Sequence, residues 1–275
     1  MHLQRALALL ILSLILSGCS TRIDHQLTIS QRALQLSGKG VVIPAESYLL
    51  QTLQVMPGSK STLRVYLEGD GRAWVRRNRP STDPTPGNLL VLDLMAKDPY
   101  PDRVYIARPC QFVKSSACEI KVWTDLRYSQ EAVSSLNRAL DILKTQGNYQ
   151  KFELIGFSGG ATLALLAAAA RDDITSVRTI AGNLDPEFVN RFHKVSAMPQ
   201  ALNPVSRISR LEIIPQLHFY GTGDPVIPPQ VFRAYQEKFK STECVKGYPV
   251  AGASHLQGWR EAWKQLLNQP LPNCL

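Results

Sequence analysis

This sequence predicts an α/β domain: a mostly parallel central sheet with helices on both faces. Three observations carry that expectation. Short apolar runs alternate with helical patterns across most of the chain, which is how parallel strands joined by crossover helices read. One strand-like run, residues 152–155, passes through a glycine-rich turn into an uninterrupted helix-forming run, residues 162–170. The chain of 275 residues, 44% of them hydrophobic, is also enough for one large domain, and it shows no internal repeat, long low-complexity linker or compositional break beyond its N-terminus.

Residues 1–18 stand apart. Arg5 supplies a positive start, residues 6–16 are apolar apart from Ser13, and small residues precede Cys19. This reads as an export signal, too short for a comfortable membrane span. The run Leu16-Ser17-Gly18-Cys19 resembles the bacterial lipoprotein signal. That resemblance implies a mature chain that begins at a lipid-modified Cys19, held by more than one acyl chain of the palmitate kind. Ser20, in place of the aspartate associated with inner-membrane retention, favours the outer membrane of a bacterial envelope. The expected organisation is therefore a signal at 1–18, a lipidated Cys19 and polar tether at 19–26, and the α/β domain at 27–275.

Composition narrows the function classes. The formal charge is +9, but the basic residues are scattered, with no aromatic-interleaved Lys/Arg run, zinc-ligand spacing or Walker loop. Nucleic acid is a poor partner for such a chain, and no metal or organic cofactor is implied. Besides Cys19 there are Cys110, Cys118, Cys244 and Cys274. An even number suits an oxidising compartment, and of the three possible pairings Cys110 with Cys118 and Cys244 with Cys274 is expected.

Along the domain, residues 29–36 stay undecided between helix and strand. Residues 48–55 and 63–67 read as strands, antiparallel to each other across a hairpin at Pro57-Gly58. A long loop, 72–87, carries Arg72, Arg76, Arg77 and Arg79 with three prolines. It reads as a solvated basic loop, or as a rim that favours anionic substrates or lipid headgroups. A helix at 89–96 and a strand at 104–107 follow. The helix within 123–146 places Val133, Leu136, Leu140 and Leu143 on one face, and Gly147 stops it. Ahead of it, residues 123–128 read either as support for a pocket or as a cap for that helix. Strands at 177–181, 217–220 and 244–250 and helices at 231–239 and 259–267 complete the alternation. Residues 183–210, rich in prolines and polar residues, read as an excursion such as a small cap over the site.

The chemistry collects at strand ends. Gly156-Phe157-Ser158-Gly159-Gly160 lies at the strand-to-helix turn; a tight elbow requires small neighbours, and it projects the serine hydroxyl above the sheet edge. A serine needs a base, and of the five histidines only His255 follows a strand and precedes a helix. His218 falls inside a strand, His193 in the excursion and His25 in the tether. The orienting carboxylate should lie between Ser158 and His255 in the chain; Asp224, after the 217–220 strand, is the first candidate and Asp185 the second.

Together with Gly223-Asp224-Pro225 and Ala253-Ser254-His255, the elbow resembles the nucleophile, acid and histidine motifs of the α/β-hydrolase superfamily, in its order Ser, Asp, His. The resemblance implies Ser158 as nucleophile, Asp224 as orienting acid and His255 as base, acting on an ester, thioester or amide in a small-molecule or lipid-like acyl substrate. It implies an oxyanion hole from the N–H groups of Gly159 and Asp70. Here the sequence departs from the superfamily, with Glu68-Gly69-Asp70 where many members have His-Gly and an apolar residue. A carboxylate aimed into that hole would oppose catalysis, so the Asp70 side chain is expected to turn away, toward Arg72. The alternative left open by this acidic loop is a non-catalytic binding or assembly role in the envelope.

Overall fold

The computed structural model describes residues 25–274; the signal segment and Cys19 lie outside the described residues. Among the described residues the first element is helix α1 (His25–Gln35), followed by strands β1 (Lys39–Ala45), β2 (Tyr48–Val55) and β3 (Thr62–Leu67). A small hairpin, β4 (Trp74–Arg76) and β5 (Arg79–Pro80), precedes α2 (Leu90–Lys97) and β6 (Arg103–Ile106). Then come α3 (Ile120–Trp123), α4 (Gln130–Gly147), β7 (Lys151–Phe157), α5 (Gly159–Ala170) and β8 (Ile174–Ile180). Two short helices, α6 (Pro186–Phe192) and α7 (Ile208–Leu211), lead to β9 (Gln216–Gly221), α8 (Pro229–Gln236), β10 (Val245–Val250) and α9 (Trp259–Leu267).

Eight strands form one sheet in the order β1-β2-β6-β3-β7-β8-β9-β10. From β6 to β10 every neighbouring pair is parallel, while β2 is antiparallel to both β1 and β6. Apolar side chains bury both faces. On one, α4, α5 and α8 cover a core that includes Leu63, Val65, Leu140, Leu165 and Tyr235. On the other, α1, α2 and α9 cover Leu53, Tyr66, Tyr105, Phe219, Trp259 and Trp263. Helix α5, Ala- and Leu-rich on every side, is buried along nearly its whole length, as a helix without a polar face must be.

Three local expectations change. The segment undecided at 29–36 is helical, and its helix already starts at His25, inside the expected tether. β2 does not pair with β3, because β6 lies between them. The linker at 57–60 crosses over β6 instead of turning back, held by the Asp102 carboxylate, which accepts the N–H groups of Gly58, Ser59 and Lys60 at 2.7–3.0 Å. Gly147 is still helical, and the left-handed stop falls on Asn148 (φ 52°), a residue type that tolerates that conformation. Both expected disulfides are present, Cys110–Cys118 and Cys244–Cys274. The second ties the C-terminal tail to the residue just before β10.

Candidate active site

Ser158 sits at the junction of β7 and α5 with φ 50° and ψ −119°, a conformation that a non-glycine residue keeps only where its surroundings hold it. Those surroundings are visible. The Ser158 N–H donates to the Ile180 carbonyl at 3.0 Å, its carbonyl accepts the Asn183 N–H at 3.0 Å, and Thr162 Oγ1 donates to the Asn183 carbonyl at 2.6 Å. The glycines are required by close approach: a methyl on Gly156 would fall 2.6 Å from the Ala161 Cα, and one on Gly160 2.5 Å from the Glu68 carbonyl oxygen.

His255 follows β10, on a loop pinned by Trp259 Nε1, which donates to the Ser254 and His255 carbonyls at 2.8 and 3.2 Å. Its Nε2 lies 3.0 Å from Ser158 Oγ and its Nδ1 2.9 Å from Asp224 Oδ2. The Asp224 side chain is buried, and its Oδ1 accepts the N–H groups of Val226 and Ile227 at 2.8 and 2.9 Å. In the tautomer whose Nδ1–H donates to the Asp224 carboxylate, Nε2 accepts from the serine hydroxyl. The structure thus joins Ser158, His255 and Asp224 in one hydrogen-bonded row. Asp185, the second candidate acid, is elsewhere: it caps α6 through the Phe188 N–H at 3.0 Å and accepts Asn203 Nδ2 at 2.7 Å.

The loop after β3 reaches the same point. A methyl on Gly159 would fall 1.9 Å from Asp70 Oδ1 and 2.6 Å from the Tyr128 hydroxyl, so the Asp70 carboxylate lies against the elbow. It does not turn to Arg72, whose side chain is exposed. Instead Arg108 Nη1 donates to Oδ1 at 3.0 Å, Arg127 Nε is ion-paired with Oδ2 at 3.1 Å, and the Tyr128 hydroxyl donates at 3.0 Å. A buried guanidinium, a half-buried one and a phenol therefore absorb the charge that the bare sequence left facing the site, and Arg108 also donates to the Arg127 carbonyl. Next to it Glu68 is buried, with Oε1 accepting the Gly69 N–H at 2.9 Å and Oε2 the Tyr105 hydroxyl at 3.0 Å. Burial pushes its carboxyl up to about 7, against the pull of those bonds and of Arg108.

Sequence reasoning missed Arg108 and divided its reading of residues 123–128 between a pocket support and a helix cap. The structure gives the stretch the first role: Arg127 and Tyr128 hold Asp70, while α4 is capped by the next residue, Ser129, through the Ala132 N–H. The one available signal for Arg108 was its place just past β6, at the sheet edge that also carries Ser158. His218, within β9, bonds Thr179 Oγ1 at 2.8 Å, and burial lowers its pKa to about 3, so it is a neutral core residue.

A strained serine between a central parallel strand and a buried helix, with an acid and a histidine from the ends of later strands, defines the α/β-hydrolase fold, and this chain has it. A family model described as serine hydrolase (FSH1) matches residues 114–249, a little under half of the chain. That span contains Ser158 and Asp224 but neither Asp70 nor His255. The esterase GA18864 of Drosophila pseudoobscura pseudoobscura is 33% identical over 113 residues, 41% of this chain and 35% of that one; the match thus spans about a third of that relative. Among solved structures, the Pyrococcus furiosus esterase Pf2001 superposes with TM-score 0.61 at 16% identity, over 85% of this chain and 92% of that one. An alpha-beta serine hydrolase homologue from Coxiella burnetii gives 0.56 at 16% identity, over 83% and 93%. A serine hydrolase described as lacking a lid, XC6422 from Xanthomonas campestris, gives 0.53 at 14% identity, over 86% and 96%.

Proposed function

We propose that this chain is a serine hydrolase that cleaves a carboxylic ester, or a thioester or amide of similar geometry, through an acyl-enzyme on Ser158. The observation that carries this reading is the unbroken row from Ser158 Oγ through His255 to the buried Asp224. In the first step His255 Nε2 takes the hydroxyl proton as Oγ attacks the acyl carbon; Asp224 holds the ring and stabilises the imidazolium that forms. Negative charge developing on the acyl oxygen is met by the N–H groups of Gly159 and Asp70, the former at the start of α5 where the helix dipole helps. His255 then returns the proton to the leaving group, and a water activated by the same imidazole releases the acid.

The reading includes a location. The residues around Cys19 support lipidation there and anchoring in a bacterial envelope, with the outer membrane favoured by Ser20. Incorporation of labelled palmitate into the wild type but not into Cys19→Ser checks this part.

The test of the chemistry is labelling by a fluorescent fluorophosphonate, beside Ser158→Ala and His255→Ala. Strong labelling of the wild type that both substitutions abolish is expected. A folded wild type that does not label leaves the binding or assembly role in its place.

A further inference from the structure

Among the described residues, nine large apolar side chains are exposed, and five of them belong to segments joined to the loops of the candidate active site: Trp74, Phe192, Val195, Val226 and Leu256, each between 41 and 47% exposed. Hydrogen bonds and chain neighbours fix their positions. Val226 donates its N–H to Asp224, and Leu256 follows His255. His193, beside Phe192, bonds the Val226 carbonyl through Nε2 at 2.7 Å. Arg77, in the turn of the β4–β5 hairpin that carries Trp74, donates to the Lys194 carbonyl at 2.8 Å. The hairpin, the end of α6 and the Asp224 and His255 loops thus form one rim. The other exposed apolar residues (Leu34, Val42, Ile120 and Ile213) lie on separate elements.

The same rim is basic. Arg76, Arg77 and Arg79 are exposed on the hairpin, with Arg72 just before it and Lys194 beside it, while Asp224 is buried and Glu187 is paired with Arg191. Exposed apolar side chains set among cations are what an anionic lipid surface recognises: the rings and branched chains enter the boundary between headgroups and acyl chains, and the guanidiniums pair with phosphates. We propose that this rim docks on an anionic lipid surface and presents Ser158 to ester substrates held in it. The substrate part rests on the serine-hydrolase reading; the docking part does not.

Trp74 makes the proposal measurable, since the other tryptophans, Trp123, Trp259 and Trp263, are at most 6% exposed. Fluorescence of the full chain bearing Cys19→Ser, which removes any acyl anchor, is followed on adding vesicles whose lipids are brominated near the headgroup, in phosphatidylcholine alone or mixed with phosphatidylglycerol. Quenching by the anionic vesicles is expected, with most of it lost in Trp74→Phe. Arg76→Glu/Arg79→Glu should need at least tenfold more lipid for half-quenching, as should the parent Cys19→Ser chain at 0.5 M salt. Equal quenching by the uncharged vesicles, or quenching unchanged in Trp74→Phe, would overturn the proposal. So would a rim that stays unquenched while the chain self-associates through Trp74, which would make it a protein interface. Hydrolysis of a soluble ester is measured in parallel. Docking without any hydrolysis refutes the hydrolase reading alone, and hydrolysis without quenching refutes docking alone.

Discussion

Replacing Glu68 by glutamine should change how the stability of this protein depends on pH. The carboxyl is 3% exposed, and burial raises it from 4.5 to about 7. The fold therefore binds a proton there that the unfolded chain has already released, and the stability this contributes is complete below pH 4.5. It is lost as pH rises through about 7. At about 1.36 kcal/mol per pH unit, the rise corresponds to about 3 kcal/mol. Glutamine cannot ionise. Its carbonyl can accept the Gly69 N–H, and its amide can donate to the Tyr105 hydroxyl, so both bonds of Glu68 have a counterpart. His218, with its pKa lowered to about 3, acts in the opposite sense: its contribution is present above 6.5 and declines as pH falls. It does so equally in both proteins and cancels in the comparison. Urea unfolding of wild type and Glu68→Gln at pH 4.5, 6 and 8 is the assay. The variant should gain on the wild type by about 3 kcal/mol between the lowest and highest pH. Parallel curves would refute the argument, since they would mean that Glu68 ionises in the fold as it does in the unfolded chain.

Asp70→Asn leaves Arg108 and Arg127 without their anion and should cost about 3 kcal/mol of stability by urea unfolding, with fluorophosphonate labelling slowed as the oxyanion loop loosens. Labelling many-fold faster than wild type would mean instead that the carboxylate suppresses the site. Removing the Cys244–Cys274 bond, whose partners are 30 residues apart, by serine substitution at both positions should cost about 3 to 4 kcal/mol on the loop-entropy account. A reductant should bring wild type and variant to the same unfolding midpoint, lowering the wild type further, because the variant has only Cys110–Cys118 left to reduce.

The sequence by itself determined the elements whose signals are local. The β7–Ser158–α5 elbow was legible because small residues, an apolar run and a helix former adjoin within twenty residues. β2 and α9 were legible to the residue, because turn residues and apolar spacing bound them. The order of Ser158, Asp224 and His255 was legible because each follows its own strand. What the tertiary structure decided is what depends on distant partners. β6 enters between β2 and β3 from forty residues along the chain, and no pattern at Pro57-Gly58 records that. The bonds that neutralise Asp70 span 38 and 58 residues, so the same aspartate that reads locally as an obstacle to catalysis is, in the fold, held by two arginines and a tyrosine. The apolar rim is likewise invisible in sequence, where Trp74, Phe192 and Leu256 fall in three separate stretches, the loop at 72–87, the excursion at 183–210 and the turn after His255. Only the packing of loops from opposite ends of the chain leaves them in water, because burial is a property of what the rest of the chain covers and not of the residue.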